Sequence, residues 1–316
     1  MQLVVMGTGP FAVPMLQSLA RSGHQLAALV TRPQRSSGRR KPAPNPMRDA
    51  ALELGIDVLE PDDVNQPGFL QQLAQFQPEL LVVCDYGQIL STEALQVAPL
   101  GGINLHGSLL PSYRGAAPVQ WAIIQGESTT GISVIHMTPR LDAGPCLVQR
   151  ETPIGTQEDA GELESRLALL GIDPVLDAIT LLEKWDRQSP IGDFQVDAES
   201  TPAPRLSRQD GEIDWSLPAL QIANRIRGLK PWPGSFTHWQ RETESLRLII
   251  DQALVLTTSA GGQAGEILEI DEQGIHVATG AGVIVIEQLK PAGKRILASA
   301  AFLRGYPLAI GTQLGP

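Results

Sequence analysis

Apolar, β-prone runs alternate with stretches of helical periodicity through the first part of this 316-residue chain. The chain opens with an apolar run at 3–5, followed by a turn at 7–10 that reads Gly-Thr-Gly-Pro. Apolar side chains then recur at helical spacing from residue 11 to 20, and a second β-prone run follows at 26–30. A strand, a helix and a strand in this order form a crossover unit, which requires parallel strands. The opening therefore predicts an open, mostly parallel, Rossmann-like α/β sheet.

The same pattern continues toward residue 185. It predicts further strands at 57–59, 80–84, 102–105, 131–136 and 146–149, and helices at 47–54, 68–75, 118–125 and 159–185. We expect Pro174 to kink the last helix or to divide it in two, because proline removes a helical hydrogen bond.

Composition changes after this region. The segment 189–206 is polar and rich in proline, which is typical of a linker between a domain over 1–188 and a second domain over 207–316. The second domain begins with a helix near 220–227. Short strands with glycine turns follow at 246–250, 265–270, 274–279 and 283–289, and they predict a small OB-like β-barrel. We expect Trp232 and Trp239 to lie in its core.

The formal net charge of −10 disfavours indiscriminate binding to nucleic acid. One loop departs from this balance, because residues 31–42 hold five cationic side chains and no acidic one. A basic loop bounded by proline is suited to contact phosphates, and its last cations are Arg39, Arg40 and Lys41.

Cysteine usage and hydropathy narrow the classes of protein to which this chain can belong. Cys84 and Cys146 lie in apolar runs, which predicts buried free thiols in a reducing cytoplasm. The scattered histidines offer no metal-ligand spacing, so we expect no metal. No apolar run reaches the roughly 20 residues that a membrane helix needs, and the first residues read as a strand rather than a signal peptide. We expect a cytoplasmic monomer.

The turn at Gly7 and Gly9 invites a dinucleotide-binding interpretation. The third glycine of that fingerprint is replaced by Ala12, and Thr31 follows the second strand where an acidic residue would bind a ribose. The sequence therefore disfavours a nicotinamide or flavin site.

Polar groups suited to acyl transfer stand in otherwise apolar segments. Asn104 and His106 are two residues apart, so both side chains leave the same face of an extended strand. An amide beside an imidazole can stabilise an oxyanion, and a carboxylate arriving from elsewhere can hold the imidazole protonated and oriented. Asp142, in a later Leu-Asp-Ala-Gly segment, is a candidate for that carboxylate.

The ordered string of these motifs resembles the folate-dependent formyltransferase family. Residues 104–111 read Asn-Leu-His-Gly-Ser-Leu-Leu-Pro, and they are followed by Arg-Gly at 114–115 and by Asp-Ala-Gly at 142–144. By this resemblance Asn104, His106 and Asp142 form the catalytic trio. The resemblance also implies a folate-binding loop, which is formed by Ser108, Leu109, Leu110 and Pro111.

Segments of the second domain are similar to those of family members that act on methionyl-tRNA. They are Ile-Asp-Trp at 213–215, Lys-Pro-Trp-Pro at 230–233, the segment 288–294 and the segment 303–306. The resemblance implies transfer of a formyl group from 10-formyltetrahydrofolate to the α-amine of initiator methionyl-tRNA, in support of translation initiation. It also assigns Arg39, Arg40 and Lys41 to the tRNA. The chain departs from the family pattern at 84–85, where Cys-Asp replaces small apolar residues, and at 202–205.

Two other interpretations stay open at this point. A formyltransferase for a small amine would need neither the basic loop nor the barrel. A non-catalytic sugar-nucleotide or RNA-binding module could use the Gly7 turn without requiring Asn104, His106 and Asp142 together.

Overall fold

The structure of the chain is a computed structural model that describes residues 1–34, 44–241, 244–256 and 261–315. The chain forms two compact units. Unit 1 comprises Met1–Pro118, Thr129–Pro153 and Glu164–Pro204, and unit 2 comprises Val119–Ser128, Ile154–Leu163 and Arg205–Pro316. The segment predicted as a linker thus belongs to unit 1 through Pro204. The domain bounds 1–188 and 207–316 stay predictions.

Unit 1 is built on a seven-stranded sheet. Its strands and those of a small two-stranded sheet are β1 Gln2–Met6, β2 Gln25–Val30, β3 Val58–Leu59, β4 Leu80–Val83, β5 Gly102–His106, β6 Arg114–Gly115, β7 Thr129–His136, β8 Cys146–Pro153 and β9 Pro202–Ala203. The order in the large sheet is β3-β2-β1-β4-β5-β7-β8, and β6 pairs with β9. The first five strands of that order are parallel, whereas β7 and β8 are antiparallel additions. The predicted mostly parallel sheet is confirmed.

Burial explains why this sheet has its centre at β1 and β4. All four residues of β4 are buried, as are Leu3 to Met6 of β1. Strands covered on both faces read as continuous apolar runs, which is what the sequence shows there. The strand order reverses between β1 and β4. The carboxyl ends at such a reversal open a crevice where ligands bind in open α/β sheets.

The helices before residue 190 are α1 Val13–Ala20, α2 Pro46–Glu53, α3 Pro67–Gln75, α4 Thr92–Leu95, α5 Pro118–Ile124, α6 Ala160–Leu170 and α7 Ile172–Glu183. The single helix predicted at 159–185 is thus divided, but at Gly171 rather than at Pro174. A Cβ at Gly171 would lie 2.7 Å from the Leu105 side chain, so a larger residue would require Leu105 to shift. Pro174 lies in the first turn of α7, where its missing N–H is not needed.

Unit 2 carries an antiparallel, half-barrel sheet, which confirms the predicted OB-like domain. Its later elements are α8 Ala219–Gly228, β10 Ser235–Gln240, β11 Ser245–Leu256, β12 Ile267–Ile270, β13 Ile275–Ala278, β14 Val283–Pro291, β15 Leu297–Ala298 and α9 Ser299–Leu303. Strand β10 was not predicted, although its Phe, Thr and Trp are typical β-formers. Trp239 lies in the core as predicted, but Trp232 is 52% exposed, so that prediction was wrong.

Candidate active site

The site begins at the carboxyl end of β5. Asn104 and His106 leave the same face of this strand, and β5 lies between parallel β4 and antiparallel β7. The His106 ring is only 5% exposed, whereas Asn104 is half-buried. The two side chains are therefore held by a rigid, central strand, and their spacing is set by the strand repeat.

Asp142 comes to these side chains from the loop 137–145, which joins β7 to β8. One carboxylate oxygen, Oδ2, accepts a hydrogen bond of 2.9 Å from the Gly115 N–H and lies 3.8 Å from His106 Nδ1. The other oxygen, Oδ1, lies 3.5 Å from Asn104 Nδ2. The structure thus brings all three residues of the predicted trio together, with the carboxylate between the amide and the imidazole.

The hydrogen bonds of His106 define which ring nitrogen faces this carboxylate. Nε2 lies 2.9 Å from the carbonyl oxygen of Tyr113, and a carbonyl only accepts, so Nε2 carries a proton. Nδ1 can therefore donate to an oxyanion only when the ring carries both protons. Asp142 provides the counter-charge for that imidazolium.

Hydrogen bonds from two serine hydroxyls fix the backbone of the predicted folate loop, 108–111. The Ser108 side chain is fully buried and its hydroxyl donates to the Ser112 carbonyl at 2.6 Å. The Ser133 hydroxyl donates to the Ser108 carbonyl and accepts from the Leu110 N–H. Leu110 is buried as well, whereas Leu109 and Pro111 are half-exposed. The Ser108 hydroxyl thus shapes the loop rather than facing a ligand.

Sequence reasoning missed two polar residues that support the site. Ser133 is a hydroxyl inside the apolar strand β7, and that contrast was a usable signal. Gln195 lies in the segment predicted as a linker, and its amide donates to the carbonyls of Asp142 and Gly144. The Arg114 guanidinium bonds to Gln195 and Asp197.

Neither cysteine is suited to covalent catalysis. Both thiols are free and buried, as predicted. Desolvation raises the pKa of Cys146 to about 11, and it also raises the pKa of Cys84. The nucleophilic thiolate is therefore scarce at neutral pH.

Asp85 is a second carboxylate at this edge of the sheet. It follows β4 in a left-handed conformation, with φ of 48°, and its carbonyl accepts from the Thr8 N–H. Its carboxylate rests on the glycine turn, because a Cβ at Gly9 would lie 1.7 Å from Oδ2. Desolvation by the surrounding protein raises the pKa of Asp85 to about 6, although part of the side chain still faces solvent.

Arg39, Arg40 and Lys41 lie outside the described ranges. Within those ranges no group of His, Cys, Asp and Glu is arranged to hold a metal ion. No helix among the described residues has both the length and the apolar character to cross a membrane.

Known proteins match this chain over nearly its whole length. The formyl transferase family matches residues 1–179, and the formyl transferase C-terminal domain matches residues 205–307. A methionyl-tRNA formyltransferase of Rhodopirellula baltica is 44% identical over 325 aligned positions, covering 99% of this chain and 96% of the relative. The enzyme of the same name from Syntrophus aciditrophicus is 43% identical, covering 99% of this chain and 98% of the relative.

Solved structures share the fold at lower identity. WlaRD, a sugar 3N-formyl transferase crystallised with dTDP and 5-N-formyl-THF, aligns with a TM-score of 0.66 and 16% identity, covering 93% of this chain and 99% of WlaRD. HypX from Aquifex aeolicus in complex with tetrahydrofolic acid aligns with a TM-score of 0.62 and 15% identity. That alignment covers 98% of this chain and 48% of HypX. At these identities the likeness shows the fold alone.

Proposed function

The chain belongs to the formyl transferase family, among the methionyl-tRNA formyltransferases, and on that premise we propose that it transfers the formyl group of 10-formyltetrahydrofolate to the α-amino group of methionyl-tRNA. The product, a formylated initiator tRNA, supports translation initiation. The observation that carries the proposal is the arrangement of Asn104, His106 and Asp142 at the end of one strand.

In the proposed reaction Asn104 and His106 act on the oxygen of the formyl group. A new C–N bond forms between the uncharged amine and the formyl carbon, and the formyl oxygen gains negative charge. The Asn104 amide and a doubly protonated His106 ring donate to that oxygen. A donor of this kind stabilises the transition state by about 3 kcal/mol in other oxyanion holes.

Asp142 has two tasks in this proposal. Its carboxylate orients the His106 ring and offsets its positive charge, at 3.8 Å between Oδ2 and Nδ1. It also moves a proton, through water, from the attacking nitrogen to the folate nitrogen whose bond to the formyl carbon breaks. The amine is nucleophilic enough to attack directly, so no covalent enzyme intermediate is required.

The loop 108–111 is the proposed support for the folate. Leu109 and Pro111 present half-exposed apolar surface, while hydrogen bonds from Ser108 and Ser133 fix the backbone beneath them. A flat ring system binds well against apolar surface with a fixed backbone edge. This apolar, fixed surface supports the proposal that the loop binds a folate. Ser108 contributes to that binding through the loop conformation.

We assign Arg39, Arg40 and Lys41 to the tRNA backbone from their charge and from the family resemblance. An acidic protein needs a local basic segment to bind RNA, and the loop 31–42 is such a segment. We further place the acceptor-positioning role in the C-terminal domain, 207–316, and the formyl-transfer role in 1–188. An OB-like sheet is a common surface for single-stranded nucleic acid.

The proposed function is tested by formylation of charged tRNA with purified protein. We expect label transfer from 10-formyltetrahydrofolate to methionyl-tRNA, and little transfer to free methionine or an amino sugar. Asn104→Ala and His106→Ala should each lower kcat by about 100-fold or more with little change in folate affinity, because both groups act on transition-state charge. The two losses should be non-additive.

The matched control is His24→Ala. His24 bonds to the amino group of Met1, and both residues are remote in sequence from the trio. This variant should keep normal turnover. Near-normal turnover in a folded His106→Ala protein would disprove the oxyanion assignment, and equal transfer to small amines would favour another acceptor.

A further inference from the structure

The side-chain amide of Gln195 bridges Arg114 and the loop that carries Asp142. The nitrogen Nε2 donates to the Asp142 carbonyl at 2.8 Å and to the Gly144 carbonyl at 2.7 Å. The oxygen Oε1 accepts from Arg114 Nε at 3.0 Å and from Arg114 Nη2 at 2.7 Å. Both donors and the acceptor of the amide are therefore satisfied.

These partners define the orientation of the amide. Two carbonyls can only accept and a guanidinium can only donate, so the nitrogen must face the loop and the oxygen must face Arg114. Two neighbours in the chain fix the segment around Gln195. The backbone of Asp193 pairs with Cys146, and the Asp197 carboxylate bonds Arg114 and Arg140. Gln195 is thus held from both sides.

The Asp142 backbone needs such a bridge. Asp142 has a φ of 48°, in the left-handed region that non-glycine residues enter at a cost of about 1 kcal/mol. A conformation of this kind persists where surrounding contacts over-determine it. Gln195 holds the carbonyls of Asp142 and Gly144, while the Gly115 N–H holds the carboxylate.

We propose that Gln195 is a positioning residue for formyl transfer, which holds the Asp142 carboxylate against His106 and Asn104. The inference rests on the proposed function, because it assumes that Asp142 is catalytic. Arg114 joins the two supports of Asp142. Its side chain orients Gln195, and the next residue in β6, Gly115, donates to the carboxylate. The segment 192–197 therefore acts on catalysis without touching substrate.

The test is Gln195→Glu, with Gln188→Glu as the control. Glutamate keeps the size of the side chain but turns an oxygen toward two carbonyls, so the bridge becomes repulsive. Gln188 is exposed and lies seven positions earlier, and its substitution adds the same charge. We expect kcat to fall about 10- to 100-fold for Gln195→Glu, because a catalytic group displaced by about 1 Å can cost that much. KM for both substrates should change less than about 3-fold.

Two readouts separate positioning from a general structural role. The activity of Gln195→Glu relative to the native protein should rise as pH falls, because a protonated glutamate can again donate to one carbonyl. In an Asp142→Asn background, Gln195→Glu should change the residual kcat less than about 2-fold, since both changes act through one carboxylate. Gln195→Met, which is neutral and of similar length, should show the loss of kcat without the pH recovery.

The outcomes distinguish the two proposals. If Asp142→Asn strongly lowers kcat while folded Gln195→Glu and Gln195→Met keep native kcat, the positioning role is refuted and the proposed function stands. If Asp142→Asn keeps native activity, the assignment of the trio fails. If both Gln195 variants lose their thermal unfolding transition, Gln195 serves stability, and the positioning proposal is overturned.

Discussion

Gly144→Ala should displace the Asp142 carboxylate, to which we assign a catalytic role, while it leaves the sheet intact. Gly144 lies two residues after Asp142, in the loop between β7 and β8. A Cβ at this position would lie 1.8 Å from the His136 carbonyl oxygen and 3.0 Å from its carbon. Both are backbone atoms of β7, and the N–H of the same residue, His136, donates to the Pro145 carbonyl at 2.9 Å. No side-chain rotation can relieve the clash.

The expected size of the effect follows from that distance. Real Cβ atoms stay at least 3.0 Å from such an oxygen, so the loop must move by about 1.2 Å. Asp142 Oδ2 now lies 3.8 Å from His106 Nδ1, and the same movement would strain the Gln195 hydrogen bonds. A shift of about 1 Å can cost roughly 100-fold in turnover, whereas we expect only about 1 to 3 kcal/mol of lost stability from the overpacking.

The assay is steady-state formylation of methionyl-tRNA together with urea unfolding. The control is Gly68→Ala in helix α3, where an added Cβ meets nothing within 4 Å. We expect native turnover for Gly68→Ala and a drop of about 100-fold in kcat for Gly144→Ala, with KM for folate little changed. A folded Gly144→Ala protein with native kcat would show that the position of Asp142 is not critical.

Two further predictions concern charge. Asp85 has an ordinary pKa of 3.8 and a folded pKa of about 6, so the native state binds more protons between these values and stability falls as pH rises through them. Asp85→Asn should remove that fall, so that the free energy of unfolding rises by about 1 kcal/mol or less at pH 7 after solvent screening, with no gain below pH 4. Urea midpoints measured from pH 4 to 7.5 check this. A difference between the two proteins that does not depend on pH would contradict it. Replacing Arg39, Arg40 and Lys41 by alanine should raise KM for methionyl-tRNA and flatten its dependence on salt, with an unchanged KM for 10-formyltetrahydrofolate. An unaltered salt slope would remove these residues from the RNA interface.

The sequence predicted the sheet and the barrel for local reasons, whereas resemblance to the formyltransferase family implied the trio. Hydrophobic periodicity is readable over a few residues, so the strands at 80–84 and 102–105 were located to within a residue or two. Asn104 and His106 stand out because polar groups are costly in a buried strand. Their shared face follows from the strand repeat alone. The position of the helix break did not follow, because Gly171 packs against Leu105, which is remote in sequence.

The sequence by itself predicted an open α/β sheet with an amide, an imidazole and a carboxylate as its candidate catalytic groups, followed by a small barrel. Only the tertiary structure decided how those groups are held. Gln195 is 53 residues from Asp142 in the chain, in a polar segment whose composition indicated a linker, and Ser108 is buried beneath its own loop. A hydrogen bond between residues that far apart leaves no periodic trace, because its partner is selected by the fold and not by its neighbours in the chain.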